Sequence, residues 1–278
     1  MTVKVLTFSS LYPSAARPRH GIFVETRLRQ LLHDCDVDAR VIAPVPWFPF
    51  RADLFGAYAR FALTPRHEAR GGLEVSHPRY LMLPRLGVRF QPASMARAAA
   101  ADVAALGATG WTPDVIDAHY FYPDGVAAAL LAERLRVPFV VTARGTDVNV
   151  LAQQPGTGEK ILWAARRAAA VITVSTRLKE VLVGLGVDAS KVSVLRNGVD
   201  LELFRPEDRA AARRRLGLPE GRLAACVGNL VPEKGQALAI EALCHLPDWR
   251  LMLVGGGASR GDLQALAQRL GVAARVIF

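Results

Sequence analysis

The sequence predicts an α/β fold in which parallel sheets are covered by helices on both faces. Two observations carry this expectation. Short apolar runs alternate with longer helical segments along the whole chain, and glycine-bearing breaks follow several of those runs. With 278 residues, 51% of them hydrophobic, and a mean hydropathy of +0.19, the chain is globular and long enough for two modest domains or one large one. A strand over 3–8 leads to a helix over 21–33, which opens at a glycine, and a strand over 39–43 follows. An alanine-rich helix over 95–106 precedes a strand over 115–118, a helix over 125–135 and a strand over 139–142. The alternation continues with a helix at 160–170, a strand at 171–174, a helix at 176–185 and a strand at 192–195. Helices at 210–216, 235–243 and 262–270 then alternate with strands at 223–227, 251–254 and 276–278. Ligands of such folds sit at the carboxyl ends of the strands, where the glycine-bearing breaks fall.

Composition narrows the class. Cys35, Cys226 and Cys244 are odd in number and lack metal-like spacing, so buried free thiols in a reducing compartment are expected. Neither a signal peptide nor an apolar stretch near 20 residues is evident, and a cytoplasmic location is expected. The net charge of +10 is concentrated: eight arginines lie between Arg51 and Arg97 against three acids, Asp53, Glu68 and Glu74. Phe50, Leu54, Tyr58 and Phe61 in that region fall at helical spacing, so a short amphipathic segment could lie on an anionic membrane. The alternative is a helix docked on its own domain with solvated arginines. No nucleic-acid reader motif is present, and no nucleic-acid partner is expected.

The most informative segment runs from Val227 through Gly228, Asn229, Leu230, Val231, Pro232, Glu233 and Lys234 to Gly235. An apolar strand breaks at a glycine and enters a helix with a lysine at its first turn. Unpaired N–H groups and the helix dipole attract anions there, Gly235 admits close approach, and Lys234 adds a full charge. The plain alternative is an ordinary strand-to-helix turn with a solvated Lys–Glu pair. Three further loops end strands on the same expected edge: Leu11 to Gly21, Asp117 to Gly125 with His119, and Thr142 to Asp147 with Arg144.

In order and spacing, these segments resemble family 4 retaining glycosyltransferases. The matching pieces are the helix start at Gly21, the His119 loop, Thr142 to Asp147, Val174–Ser175, Lys191 to Asp200 with Phe204 and Pro206, Val227 to Gly235, and Leu253 to Gly257. The wording from Gly228 to Gly235 is similar to members that build teichuronic acid, capsule or exopolysaccharide. The resemblance implies a GT-B fold of two facing Rossmann-like domains: an acceptor-side domain over 1–205 and an incomplete donor-nucleotide domain over 206–278. It implies transfer of a sugar from a nucleotide-diphosphate sugar to a hydroxyl of a glycan or lipid-linked acceptor, without metal or other cofactor. By position, Gly21 would bring backbone amide to the donor diphosphate and His119 would sit beside the donor sugar. Gly228, Asn229, Lys234 and Gly235 would form the phosphate seat, with Lys234 neutralising the leaving nucleotide. Asn197, Gly198 and Asp200 would form the crossing into the second domain, although Asn-Gly is also a turn signal.

The chain departs from this pattern in two ways. Asn229 stands where many relatives carry arginine, so one phosphate cation is absent, and Arg144 or Arg196 are the candidates to compensate. The second domain is about half of the roughly 100 to 150 residues a complete one needs. The pair of glutamates that holds sugar and ribose in relatives has no counterpart here, and an exposed edge and apolar patch are expected near 276–278. A fragment, half of a complex and an inactive relative all fit. The functional alternatives are a non-catalytic module binding a membrane or partner, and a nucleotide-sugar epimerase of the same architecture.

Overall fold

The computed structural model describes residues 2–52, 54, 56–82 and 89–278, with the Ala57 side chain excepted. The chain forms two compact units, Met1–Val199 and Asp200–Phe278.

The first unit begins with β1 (Val3–Phe8), α1 (Ile22–Asp34), β2 (Val37–Ile42), β3 (Val45–Pro46) and α2 (Ala57–Leu63). Next come β4 (His67–Arg70), β5 (Leu73–Ser76), β6 (Arg79–Tyr80), α3 (Gln91–Ala108), β7 (Val115–His119) and α4 (Val126–Leu135). It closes with β8 (Phe139–Ala143), α5 (Thr146–Asn149), α6 (Thr157–Arg167), β9 (Ala170–Thr173), α7 (Thr176–Gly184) and β10 (Val192–Val194). Eight strands form one sheet in the order β10-β9-β8-β7-β1-β2-β5-β4, parallel throughout except for the antiparallel β4 at the edge. β3 and β6 make a separate parallel pair.

The apolar runs become strands because both faces of the sheet are covered. On one face Leu6, Phe8, Ile116, Val141 and Val171 pack with Met95 and Ala99 of α3 and with the alanines of α4. On the other, Val5, Ala39 and Val41 meet Val24 and Leu28 of α1. Small residues let α4 lie close to the sheet: Ala127, Ala128, Ala129 and Ala132 are all buried. Ser175 caps α7 by accepting from the Leu178 N–H at 3.3 Å.

The second unit contains α8 (Arg209–Arg215), β11 (Arg222–Val227), α9 (Gln236–Ala242), β12 (Trp249–Val254), α10 (Arg260–Arg269) and β13 (Val276–Ile277). Its three strands pair in parallel in the order β11-β12-β13, which leaves β13 at an edge. Leu230, Ile240, Leu251, Leu253 and Leu263 form its core.

Several expectations need correction. Cys35, which follows the last turn of α1, and Cys244, in the turn after α9, are exposed, and Cys226 is half-buried against the core of the second unit. The helix expected around Phe50 to Phe61 is the seven-residue α2, which includes Tyr58 and Phe61 but not Phe50 or Leu54. Asp53 and Arg85 of that region lie outside the described residues. The hairpin of β4 and β5 and the β3–β6 pair carry too few apolar residues to stand out in the sequence. In the second unit, Pro232–Lys234 forms a separate 3-10 turn, and Gly235, at φ 70°, ends it and caps α9. Lys234 therefore precedes the helix instead of sitting in its first turn.

Candidate active site

Strand order reverses at β1, since β2 lies on one side of it and β7 on the other. Crevices beyond the carboxyl ends of strands at such a reversal are the usual ligand sites of open α/β sheets. Here the Ser9 hydroxyl, just after β1, donates to the His119 carbonyl at the end of β7 at 3.2 Å. The Ser10 N–H and hydroxyl both donate to Asp124, the hydroxyl at 3.1 Å. His119 is only 1% exposed. Asp117 lies two residues earlier on the same strand face, with its Oδ2 3.2 Å from His119 Nε2.

Arg144 follows β8 and organises the cluster. Its Nη2 donates to His119 Nδ1 at 2.7 Å and its Nη1 to Asn197 Oδ1 at 2.9 Å. Its guanidinium carbon lies 4.6 Å from the ring centroid of Phe23 in α1, a cation–π contact. The Asp147 carboxylate accepts the backbone N–H groups of Arg144 at 3.0 Å, Gly145 at 2.8 Å and Phe121 at 2.9 Å. That carboxylate ties the loops after β7 and β8 together. Arg27 of α1 donates to Thr142 Oγ1 at 2.9 Å.

The electrostatics follow from burial. A guanidinium has no acceptor, so His119 Nδ1 must accept and the ring proton must sit on Nε2, facing Asp117. Burial lowers the His119 pKa, and Arg144 and Arg27 lower it further against the pull of Asp117, so the ring is neutral. Burial pushes Asp117 upward, but His119, Arg27 and Arg144 outweigh it and hold the carboxylate ionised. Arg144 is drawn down to about 10 by burial and by Arg27. Asp147 is raised by burial despite its three backbone donors. Asp124 is raised by burial to about 7, so it carries its proton through much of the acid range. Arg144 Nε and Asp117 Oδ1 are buried without a hydrogen-bond partner among the described residues. The arrangement offers a ligand a cation and two neutral acceptors, His119 Nδ1 and Asn197 Oδ1, which Arg144 now bridges.

In the second unit, the loop after β11 continues the ladder beyond the strands. The Gly228 N–H donates to Val254 O at 2.9 Å, and that of Leu230 to Gly256 O at 2.9 Å. A Cβ on Gly255 would stand 2.0 Å from the Gly228 carbonyl oxygen, and one on Gly257 2.2 Å from that of Leu230. Glycine is required at both positions by close backbone approach. Gln236 Nε2 donates to the Asn229 carbonyl at 2.9 Å. Lys234 is exposed; its N–H donates to the Val231 carbonyl at 3.1 Å, and its side chain has no hydrogen bond or ion pair among the described residues.

The structure thus brings His119, Arg144, Asp147 and Asn197 together in the first unit, and sets Gly228, Asn229, Lys234 and Gly235 on one loop of the second. Arg196 is exposed and outside the cluster. Gly21 caps α1 at φ 66°, and a Cβ there would stand 2.1 Å from the Leu11 carbonyl oxygen, so backbone packing alone accounts for the glycine. Asp117, Asp124, Arg27 and Phe23 were not singled out as site residues from the sequence. Only Asp117 had a legible signal, its two-residue offset from His119 on a strand.

The model of Glycosyltransferase Family 4 matches residues 27–203, which contain all of this first-unit cluster except Phe23 and the two serines. The chain belongs to glycosyltransferase family 4. As a family 4 member it is a transferase, and the model of Glycosyl transferases group 1 matches residues 208–278. It is 35% identical over 269 residues to a Bacillus subtilis (strain 168) protein named for teichuronic acid biosynthesis, the glycosyltransferase TuaC, covering 94% of this chain and 67% of that one. It is 32% identical over 182 residues to the D-inositol 3-phosphate glycosyltransferase of Mycobacterium tuberculosis (strain F11), covering 59% of this chain and 37% of that one. Sucrose-phosphate synthase of Thermosynechococcus elongatus superposes with a TM-score of 0.72 at 19% identity, over 100% of this chain and 70% of that one. Anabaena HepE in complex with UDP and glucose gives 0.67 at 20% identity, over 100% and 69%. These neighbours share the GT-B fold, and the family 4 chain described here has that α/β fold.

Proposed function

We propose that this family 4 chain belongs to an enzyme that moves a glycosyl unit from a nucleotide-diphosphate sugar to a hydroxyl of a glycan or lipid-linked acceptor, with retention of anomeric configuration, in cell-surface polysaccharide synthesis. The observation that carries the reading is the Arg144 bridge between His119 and Asn197 at the strand reversal. Neutral His119 keeps Nδ1 as an acceptor, which suits a sugar hydroxyl as the incoming donor once Arg144 turns aside. Arg144 would then face phosphate with a guanidinium fork. The loop bearing Gly228, Asn229, Lys234 and Gly235 is the proposed phosphate seat, and Lys234 the group that stabilises charge on the departing nucleotide. The first unit would take acceptor and the second donor. HepE, solved with UDP and with UDP-glucose, supports a uridine nucleotide as the first donor to try.

The same reading places the protein at the cytoplasmic face of an anionic membrane. Trp47, Phe50, Leu54, Tyr58 and Leu63 are exposed near Arg51, Arg60 and Arg66, which supports peripheral contact. Among the described residues, no helix is long and apolar enough to cross a membrane. Failure to sediment with phosphatidylglycerol vesicles at low salt would remove the membrane part of the proposal.

The deciding experiment is calorimetric titration of the chain with UDP, GDP and their sugar conjugates, beside Lys234→Ala. Saturable binding lost in the variant supports the donor assignment. No binding by a folded chain favours the reading as a non-catalytic module. Where turnover is found, the anomeric proton coupling of the product tests retention.

A further inference from the structure

We infer that an arginine-lined cavity in the first unit, beside the β3–β6 pair, is a binding site for a phosphate group carried by the acceptor. The inference rests on the transferase reading above and names the chemistry of the molecule the first unit would take. The cavity measures about 410 Å³ and is lined by Trp47, Phe48, Arg51, Thr64, Arg66 and Arg79, among others. That volume is within the range of about 300–1,000 Å³ typical of small-molecule sites.

Arg79 is the fixed element. It lies on β6 in register with Val45, and the Trp47 N–H donates to the Tyr80 carbonyl at 2.7 Å just beyond. Its Nη2 donates to the Thr64 carbonyl, at the carboxyl end of α2. Its Nη1 is buried and has no hydrogen-bond partner among the described residues. Burial lowers the Arg79 pKa, and Arg66 and Arg51 lower it further, which is the signature of three cations converging without a counterion. None of the three joins an ion pair among the described residues. The Arg17 guanidinium carbon lies 4.9 Å from the Phe61 ring centroid, and its pKa is lowered by burial and by Arg60 and Arg79 against the pull of Tyr80. Glu68 is already committed, to His77 Nε2 at 2.8 Å and the Ala15 N–H at 3.0 Å.

A half-buried guanidinium facing like charges is costly unless an anion completes it. Forked donors from several sides suit a tetrahedral dianion better than a single planar carboxylate. Trp47, 54% exposed at the rim, offers an apolar face to whatever carries the phosphate, a sugar ring or an isoprenoid chain.

The test is equilibrium binding to the full chain. Glucose 1-phosphate, glucose, glucuronate, farnesyl phosphate and farnesol would be titrated into the wild type, Arg66→Gln and Arg79→Gln, with circular dichroism checking the fold of each. Saturable binding of glucose 1-phosphate identifies a free phosphorylated acceptor, and binding of farnesyl phosphate alone a lipid-borne one. Either supports the site if the unphosphorylated partner fails to bind and Arg66→Gln weakens binding by about tenfold, the scale of one charge-assisted contact. Arg66 is exposed, so that variant decides the matter even if Arg79→Gln unfolds. Glucuronate binding as well as glucose 1-phosphate, insensitivity to Arg66→Gln, or no binding at all would overturn the inference. UDP titrated into the same samples separates the two readings: its binding should fall with Lys234→Ala and not with Arg66→Gln. Retained UDP binding with a silent cavity sinks this inference alone.

Discussion

Arg144 donates to His119 Nδ1 across 2.7 Å, and that single contact fixes the tautomer of a histidine that is 1% exposed. The ring proton has no place but Nε2, where it meets Asp117. The loops that follow two adjacent strands are thereby joined through side chains as well as through the backbone donors that converge on Asp147.

His119 is therefore expected to remain neutral, as the Nε2–H form, well below the usual histidine range. Nitrogen-proton correlation spectra recorded through acid pH measure this directly. Arg144→Ala removes a neighbouring cation and opens the site to water, so the His119 midpoint should move up. A ring that titrates at the usual value in the wild type would show that the contact does not form in solution.

Asp124 sets a pH dependence of stability. Its pKa is raised from 3.8 to about 7 by burial, so the folded state holds a proton that the unfolded state has released. Stability from this group is fully present below pH about 4 and falls as pH rises toward 7, by on the order of 4 kcal/mol. Asp124→Asn keeps an acceptor for the Ser10 N–H and removes the ionisation. Urea unfolding should find the variant close to wild type at pH 4.5 and the more stable of the two at pH 8. A difference that does not change with pH would contradict the assignment.

Adjacent glycines in the second unit provide a matched pair. A Cβ on Gly257 would stand 2.2 Å from the Leu230 carbonyl oxygen, whereas one on Gly256 meets nothing within 4 Å. Gly257→Ala should destabilise the second unit by about 1–3 kcal/mol, and Gly256→Ala by well under about 1 kcal/mol. Hydrogen exchange resolved by segment should show the loss confined to 200–278. Equal effects of the two variants would mean that the loop after β11 does not lie against residues 255–257.

Lys234→Ala should separate binding from folding. The side chain is exposed and has no partner among the described residues, so its removal should change stability by less than about 0.5 kcal/mol. Its loss should weaken UDP binding by about tenfold or more, the scale of a charge-assisted phosphate contact. A variant that binds UDP as the wild type does would remove Lys234 from the proposed seat.

The alternation of apolar runs and helices was legible because central strands such as β7 and β8 are buried on both faces and helices such as α1 and α3 on one, so burial writes its period into the chain. The run at 3–8 became β1 and that at 115–118 became β7, one residue longer. The hairpin at 67–76 was not legible: His67, Glu68, Ala69 and Arg70 form an edge strand that needs no apolar face. Lys234 was expected in a helical first turn because Pro232 favours that position, yet Gly235 adopts a left-handed conformation and ends the turn there. The exposed cysteines show the same limit, since an apolar neighbourhood in sequence does not say which face a side chain takes.

The sequence by itself determined the fold class and the family, since both depend on local pattern and on the order of motifs. Only the tertiary structure decided that Arg144 meets His119 and Asn197, that Asp124 is buried with its proton, and that Arg51, Arg66 and Arg79 converge on one cavity. Those contacts join residues far apart in the chain. Their energies come from burial and from neighbouring charges, quantities that exist only once the sheet has brought the loops together.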